Sequence, residues 1–249
     1  MKIGIIGGGI NGLMIAIKLS NIGHKITLFE KNKLLSGTSM ATSKLIHGGL
    51  RYLENFQFFF VKESLKEREW WLTKYPEHVR PVKIFLPIYN ESNRNERIVS
   101  IGLKLYDFLF RSQILPRSRK EKLDSIIKNH AELETQKLKS VHSYYDAIMD
   151  DIGLGNQLIN EAIDSEVELL ENSSVLAFKL DGSIDYVSSK NGYNQKKYTN
   201  KFDLLINAAG PWAKKILDDS SIPTKYDLDL IRGSHILVSR NCKHSYILE

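Results

Sequence analysis

The chain has 249 residues, of which 42% are hydrophobic and 26% charged, as expected for a globular protein that buries a core. Its net charge of +6 comes from 35 basic and 29 acidic residues, and this mild excess does not indicate nucleic acid binding. Because Cys242 is the single cysteine, an intramolecular disulfide is excluded and a reducing, cytoplasmic setting is predicted, with Cys242 a packing residue.

Residues 2–31 predict a strand, a glycine-rich turn, a helix and a second strand that ends in an acid. Apolar β-formers fill residues 3–6, apolar residues recur at helical spacing over 10–17, and residues 24–29 form the second short strand before Glu30. A charged residue followed by an apolar stretch also suggests a signal peptide. That reading is rejected because the stretch has no small-residue cleavage site and continues into a matching strand.

The spacing Gly7-x-Gly9-x-x-Gly12 fits a dinucleotide-binding fingerprint in which each glycine has a physical role. Gly7 allows the tight turn out of the strand, Gly9 lets the backbone approach a pyrophosphate, and Gly12 lets the helix pack against the sheet. The phosphates would lie at the positive end of the helix, and Glu30 would accept hydrogen bonds from a ribose hydroxyl. The alternative is a glycine-rich turn in an ordinary βαβ unit.

Residues 36–54 predict a long functional loop. They are rich in Ser, Thr and Gly, and loops of this length inside a compact fold usually bind something. His47-Gly48-Gly49 would allow the backbone to approach a large or flat ligand. The alternative is a surface linker.

The middle of the chain predicts a helix over 56–75, with an apolar stripe that belongs to a core, and a strand over 82–89 in which Pro87 indicates an edge or a bulge. The apolar residues 98–110 favour a buried or inter-domain helix. The alternative is an amphipathic segment that dips into a membrane surface with the help of nearby basic side chains. These are Arg111, Arg117, Arg119 and Lys120.

The second half predicts an exposed helix or turn over 121–139, a helix over 151–165, short β segments over 167–190 and a hairpin tip over 192–201. Residues 203–212 predict a buried strand of a parallel sheet covered on both faces, with small residues at its carboxyl end where ligands bind in doubly wound folds. Residues 231–238 predict a strand that presents His235.

The stretches GGGINGLMIA, SGTSMATSKLIHGGLRYLE, NAAGPW and IRGSHILV together resemble the FAD-dependent glycerol-3-phosphate dehydrogenase family, within the flavoprotein group that includes D-amino-acid oxidase. SKLIHGGLRYLE is the most specific of them. The resemblance implies an α/β fold with a Rossmann-like FAD-binding domain, a parallel sheet and a β-meander, plus part of a mixed α+β substrate (cap) domain. We assign the FAD-binding domain to 1–55 and 141–222, and the incomplete cap domain to 56–140 and 223–249.

The resemblance also implies which residues hold FAD. Those expected at the ADP half are Gly7, Gly8, Gly9, Asn11, Gly12, Glu30 and Lys31. Those expected along the pyrophosphate and ribityl chain are Thr38, Ser39, Ser43, Lys44 and Leu45. His47, Gly48 and Gly49 would approach the isoalloxazine, and Val175 would touch adenine through its backbone. Ala209, Gly210 and Trp212 match the strand end that closes over the flavin.

For the substrate, Arg51 matches a family arginine that binds the phosphate of glycerol 3-phosphate, as suits a planar bidentate cation. Tyr52 and His235 match positions near the substrate, where a neutral imidazole would take the hydroxyl proton. The alternatives are a surface ion pair for Arg51 and a core position for His235.

The resemblance implies oxidation of sn-glycerol 3-phosphate to dihydroxyacetone phosphate, with electrons passed to a quinone or, as in related oxidases, to oxygen. It also implies a peripheral position on the inner face of the cell membrane, and it leaves a homodimer open; no metal is predicted. Family members continue beyond residue 249, so the chain resembles an N-terminal portion. The alternatives are a flavin oxidoreductase that acts on an amino or hydroxy acid and a nucleotide-binding remnant without turnover.

Overall fold

The computed structural model describes residues 1–189, 196–231, 233–236, 239 and 242–248, and the chain divides into two compact units. Unit 1 comprises Met1–Ser43 and Asp151–His235, and unit 2 comprises Lys44–Asp150 and Ile236–Glu249. The strands are β1 (Lys2–Ile6), β2 (Lys25–Phe29), β3 (Leu45–Ile46), β4 (Val79–Tyr89), β5 (Arg119–Lys120), β6 (Leu138–Met149), β7 (Glu168–Leu170), β8 (Ser173–Phe178), β9 (Ser183–Ser188), β10 (Lys196–Lys201), β11 (Leu204–Asn207) and β12 (Ser245–Tyr246). The helices are α1 (Ile10–Asn21), α2 (Phe58–Lys74), α3 (Glu96–Leu109), α4 (Leu123–Asn129), α5 (Asp151–Asp164) and α6 (Ala213–Asp219).

The first sheet of unit 1 is parallel and has the strand order β11-β1-β2-β7. Ile3, Ile5 and Leu28 of its two central strands are completely buried, as the apolar runs predicted. The prediction that 203–212 forms a strand covered on both faces is wrong in one respect. β11 lies at the edge of the sheet and Leu204 is exposed, because no further strand pairs with it in the described part of the chain.

The second sheet of unit 1 is an antiparallel meander with the order β10-β9-β8. Phe29 of the first sheet packs edge-on against Tyr186 of β9 and Phe202, with ring centroids 4.8 and 5.8 Å apart. Ile184 completes this core cluster. Of the hairpin tip predicted over 192–201, residues 192–195 lie outside the described residues, and residues 196–201 form strand β10 instead of a tip because they pair with β9.

Unit 2 is built on a sheet with the order β12-β4-β6-β3, and β5 also pairs with β6. α2 and α3 contribute Val61, Leu65 and Leu103 to a core that Ile84 and Tyr144 of the sheet complete. The predicted helix over 56–75 corresponds to α2. Pro87 lies in β4, whose second neighbour is the two-residue strand β12, and the register of β4 shifts between Ile88 and Tyr89 as the predicted bulge requires.

The predicted domain boundaries differ from the two units. Residues 44–55 and 141–150, assigned to the FAD-binding domain, belong to unit 2 because β3 and the long strand β4 both pair with β6. Residues 223–235, assigned to the cap domain, belong to unit 1. Backbone pairing between distant segments accounts for the first of these two differences.

Three further expectations are corrected. Residues 231 and 233–236 form no strand among the described residues, because none of the described strands pairs with them. Cys242 is exposed, not packed in a core. Helix α3 buries Leu103 and Tyr106, whereas Ile98, Ile101 and Phe108 are exposed, so the apolar segment is only partly buried. None of the described helices combines the length and apolar character needed to cross a bilayer.

Candidate active site

The turn between β1 and α1 requires glycine at two positions. Gly7 has φ +108°, a left-handed conformation in which a Cβ atom is strained, and such an atom would also lie 2.5 Å from the Ala208 carbonyl oxygen. A Cβ atom on Gly12 would lie 1.9 Å from the Gly7 carbonyl oxygen. The first residue permits the turn and the second permits α1 to approach the strand, which are the two roles that the spacing predicts.

The N-terminal end of α1 presents backbone N–H groups. Asn11 and Gly12 are the second and third residues of the helix, so their N–H groups have no acceptor inside it. The Ile10 N–H donates a 3.0 Å hydrogen bond to the Ser39 hydroxyl. Glu30 accepts hydrogen bonds of 2.8 Å from the N–H groups of Gly8 and Asn32, which fix its carboxylate beside the turn.

A cleft of about 570 Å³ opens in unit 1 at this end of α1, within the range of about 300–1,000 Å³ common for small-molecule sites. It lies at the carboxyl ends of β1, β2 and β11, where ligands bind in doubly wound sheets. The predicted cofactor residues that line it are Gly7, Gly9, Asn11, Glu30, Lys31, Thr38, Ser39, Val175, Ala209, Gly210 and Trp212. Gly8 and Gly12 support the turn without lining the cleft, and Ser43 does not line it.

Unit 2 has its own cleft of about 630 Å³, with mostly apolar walls. The predicted residues that line it are Leu45, His47, Gly49, Arg51 and Tyr52. Gly48 lies behind the wall, where its N–H donates a 2.8 Å hydrogen bond to the Tyr106 hydroxyl. Lys44 does not line this cleft. Its φ is +60°, and its carbonyl accepts a hydrogen bond from the Met149 N–H.

Arg51 differs from the other arginines of this region. Arg94 pairs with Glu54 at 2.7 Å, and both residues line the cleft. Arg68 pairs at 2.6 Å with Asp146, which also lines the cleft. In the described part of the chain, no carboxylate lies within salt-bridge distance of Arg51, which argues against the ion-pair alternative. An unpaired guanidinium in an apolar cleft is suited to bind an anion.

A buried hydrogen-bond chain supports the His47-Gly48-Gly49 turn. The Tyr106 hydroxyl accepts from the Gly48 N–H and donates to Asp146 Oδ1 at 2.8 Å. Arg68 Nη1 donates to the same carboxylate oxygen and to the Tyr145 carbonyl. Burial raises the pKa of the Asp146 carboxyl, and the opposing effects of Arg68 and Tyr106 only partly offset this rise. Burial also raises the pKa of Tyr106, so its hydroxyl stays protonated and can donate.

Residues 2–247 match the sequence model of the family described as FAD dependent oxidoreductase. The chain belongs to the FAD dependent oxidoreductase family. This membership confirms the predicted fold class and FAD as the cofactor. The matching stretch includes the glycine turn, Glu30 and the Ala209-Gly210-Trp212 region.

Curated relatives within this family are similar over most of the chain. The aerobic glycerol-3-phosphate dehydrogenase of Escherichia coli K12 is 34% identical over 98% of the chain and 48% of its own length. The D-erythritol 1-phosphate dehydrogenase of Brucella abortus is 32% identical over 95% of the chain and 47% of its own length. The chain therefore spans about half the length of the curated relatives it matches.

Solved structures share the fold. The glycerol-3-phosphate dehydrogenase from Bacillus halodurans complexed with FAD has a TM-score of 0.63 and 23% identity over 88% of this chain and 36% of its own. The L-alpha-glycerophosphate oxidase from Mycoplasma pneumoniae with FAD bound has a TM-score of 0.63 and 18% identity over 88% of this chain and 56% of its own. At these identities the likeness establishes the fold alone.

The residues present in unit 1 fit the pyrophosphate of FAD. The glycine turn leaves the approach to α1 free of side chains, the helix end supplies N–H donors and a positive dipole, and Thr38 and Ser39 add hydroxyls. Lys31 Nζ lies 3.6 Å from the ring centroid of Trp212, which brings a cation to the lining of the cleft.

Sequence reasoning missed several lining residues of the unit 1 cleft. They are Asn32, Leu35, Ser36, Gly37, Thr42, Ser173, Ser174, Ala208, Pro211 and Ile216. Ser36, Gly37 and Thr42 belong to residues 36–54, which the sequence predicts to be a functional loop. Ser173 and Ser174 of β8 carried no local signal, because pairing between β8 and β9 brings them to the cleft.

His235 is exposed and lines neither cleft of the described residues. Its exposure excludes the alternative of a core histidine. The catalytic role assigned to it from the resemblance stays a prediction. Tyr52 lines the unit 2 cleft and packs edge-on against Phe60 with ring centroids 5.1 Å apart.

Proposed function

We propose that the chain is part of an FAD-dependent dehydrogenase that oxidises sn-glycerol 3-phosphate to dihydroxyacetone phosphate. The observation that carries this proposal is the unpaired Arg51 in the apolar cleft of unit 2, in a family whose cofactor is FAD. Relatives that are 32–34% identical and named for phosphorylated polyols support it.

Arg51 binds the phosphate group of the substrate in this proposal. Its guanidinium is exposed in the cleft and can offer parallel N–H donors to two phosphate oxygens. Leu86 and Ile84 form part of the apolar walls of this cleft. The substrate hydroxyl would then be held at a fixed distance from the bound phosphate, which orients the reacting carbon.

The oxidation removes one proton and one hydride from the substrate. FAD, when bound, supplies the acceptor for the hydride. We assign His235 as the base that accepts the proton of the C2 hydroxyl, since a neutral imidazole is suited to this role. The buried chain through Tyr106 and Asp146 holds the Gly48 backbone, which we assign with His47 and Gly49 to the flavin ring.

The ADP half of FAD is assigned to the cleft of unit 1. In this assignment Thr38 and Ser39 hold the pyrophosphate, Glu30 holds the ribose, and Val175 touches adenine. Ser43, Lys44 and Leu45 stay assigned to the ribityl chain. The support is the glycine turn, the free N–H groups of α1 and the position of the Glu30 carboxylate beside them.

We further propose a quinone as the electron acceptor and a peripheral contact with the membrane. The exposed side chain of Phe108 near the end of α3, with Arg111 and Arg117 after it, supports this contact. Flotation with anionic liposomes tests it: wild-type protein floats, and charge reversal of both arginines abolishes flotation. Equal flotation of the two proteins would contradict it.

The main proposal is tested by mixing the FAD-loaded protein with substrate under anaerobic conditions. Reduction of the flavin is monitored through the loss of its absorbance. Glycerol 3-phosphate is expected to bleach the flavin, whereas glycerol, proline and glycine are not. D-Erythritol 1-phosphate tests the second candidate, which the Brucella abortus relative favours. Bleaching by an amino acid in place of either phosphate would overturn the proposal.

A further inference from the structure

Unit 2 contains a cluster of metal-ligating side chains that the proposed function does not use. His130, Glu132 and His244 each offer one ligand atom, and these atoms all lie within 4.8 Å of one another. His130 is buried, and the other two residues are partly exposed, so an ion can reach them from solvent. None of the three lines the cleft that holds Arg51.

Tyr246 connects two of these side chains. Its hydroxyl lies 2.6 Å from His130 Nδ1 and donates a 2.8 Å hydrogen bond to Glu132 Oε1. Because the phenol gives its proton to Glu132, it accepts one from the imidazole, and His130 Nε2 keeps the lone pair. An acceptor on the second nitrogen of a ligating histidine is the usual arrangement around protein metal sites.

The two imidazole rings stack with centroids 4.0 Å apart. Such a contact disfavours two protonated rings. Because a metal ion binds in the plane of an imidazole, one of the two rings has to turn about its side-chain torsions for both to share an ion. The neutral imidazole and the ionised carboxylate are the forms that bind metal ions.

Neighbouring charges do not oppose a cation here. Lys83 is near His130, but its ammonium group is paired with Glu121 at 2.6 Å. Phe85 forms an apolar wall, with its ring centroid 4.5 Å from that of His130 and 5.5 Å from that of His244.

We propose that His130, Glu132 and His244 form a binding site for a transition-metal ion of the Zn²⁺ type. Two nitrogens and one carboxylate oxygen, with a fourth position left to water, are a donor set that Zn²⁺ accepts. Ca²⁺ and Mg²⁺ prefer all-oxygen ligands and are excluded by the same chemistry.

The ion would be structural. It joins the segment after α4 to the residue that precedes β12, which are more than 100 residues apart in the chain. β12 pairs with β4 through only two residues, Ser245 and Tyr246. A metal ion that links two segments so far apart in the chain would stabilise the pairing of the short strand β12 with β4.

The experiment uses the 249-residue chain after treatment with a chelator, titrated with Zn²⁺ alone and followed by calorimetry and thermal unfolding. Wild-type protein is expected to bind one Zn²⁺ and to unfold at a higher temperature with it. Glu132→Gln and His244→Ala are expected to weaken Zn²⁺ binding by about 100-fold and to abolish the thermal shift, and Tyr246→Phe to weaken it by about 10- to 100-fold.

His24→Ala is the matched control, because His24 is a partly exposed histidine of unit 1, and it should bind Zn²⁺ as wild type does. Circular dichroism establishes that Glu132→Gln, which changes only one carboxylate oxygen, is folded. Co²⁺ provides a second readout, since visible d–d bands report nitrogen and oxygen coordination. Zn²⁺ affinities of Glu132→Gln and His244→Ala equal to wild type, or equal binding of Ca²⁺ and Zn²⁺, would overturn the proposal.

Discussion

Arg68 Nη1 lies 2.6 Å from Asp146 Oδ1, and the two side chains are 4% and 1% exposed. A buried ion pair depends on both partners, because removal of one leaves the other charge without solvent or counter-ion. Here the pair also anchors Tyr106, and through it the Gly48 backbone. The stability of unit 2 and the shape of its cleft therefore depend on the same carboxylate.

Asp146→Asn should lower the free energy of unfolding by about 3–5 kcal/mol, since Arg68 stays buried with no negative partner. The double variant Arg68→Met/Asp146→Leu should recover most of this loss, because neither charge remains. Urea unfolding at neutral pH measures both. A loss below about 1 kcal/mol in Asp146→Asn, or a double variant as unstable as the single one, would contradict this role of the pair.

The environment of Glu121 predicts how the free energy of unfolding changes as the pH falls. Burial by itself raises the pKa of its carboxyl, but hydrogen bonds from Lys83, Ser143 and Arg119 reverse this and lower the pKa to about 2. A depressed pKa gives stability that is present above the unfolded value of about 4.3 and is lost as the pH falls towards about 2.

The size of this effect is about 3 kcal/mol, from a difference of a little over two pH units at about 1.4 kcal/mol each. Glu121→Gln should therefore flatten the acid limb of the stability curve between about pH 5 and pH 2. Urea unfolding over this range checks it, with the exposed Glu91→Gln as control. An unchanged acid limb in Glu121→Gln would rule out the linkage.

Arg51→Ala should raise the KM for glycerol 3-phosphate by about 10- to 100-fold, because a charge-assisted bidentate contact contributes about 1.5–3 kcal/mol. Arg80→Ala is the control, since Arg80 is an exposed arginine of the same unit that does not line the cleft. Steady-state reduction of a dye at several substrate concentrations gives both constants. Equal KM values for the two variants would show that Arg51 does not bind the substrate phosphate.

Glu30→Gln should weaken FAD binding by about 10-fold, the value of one charge-assisted hydrogen bond of about 1.4 kcal/mol. The amide keeps one acceptor for the Gly8 or Asn32 N–H but loses the charge that we assign to the ribose hydroxyls. FAD titration followed by the quenching of flavin fluorescence measures the change. Binding equal to wild type would show that the carboxylate serves only the turn.

Local sequence was sufficient to predict β1, α1, β2 and the acid after them, because glycine spacing and apolar periodicity act over a few residues. It was also sufficient to predict α2 and the residues that surround the unit 1 cleft near α1. The exposure of Leu204 was not predictable, because the same apolar run is compatible with a central and an edge strand.

Contacts between distant segments account for the remaining misses. Arg68 and Asp146 are 78 residues apart, and neither has a neighbour in sequence that predicts a buried pair. The compact units differ from the predicted domains because pairing of β4 with β6 is a property of two segments together. His130 and His244 meet only because β12 joins the sheet.

The central claim is that the pyrophosphate of FAD binds at the N-terminal end of α1. Titration of the Gly12→Ala variant with FAD tests this claim most directly. A Cβ atom on Gly12 would lie 1.9 Å from the Gly7 carbonyl oxygen and must displace the turn, whereas one on Gly233, which lines neither cleft, meets nothing within 4 Å. The account predicts that wild type and Gly233→Ala bind one FAD with equal affinity and that Gly12→Ala, still folded by circular dichroism, does not bind it. FAD affinity in Gly12→Ala equal to that of wild type would contradict the account.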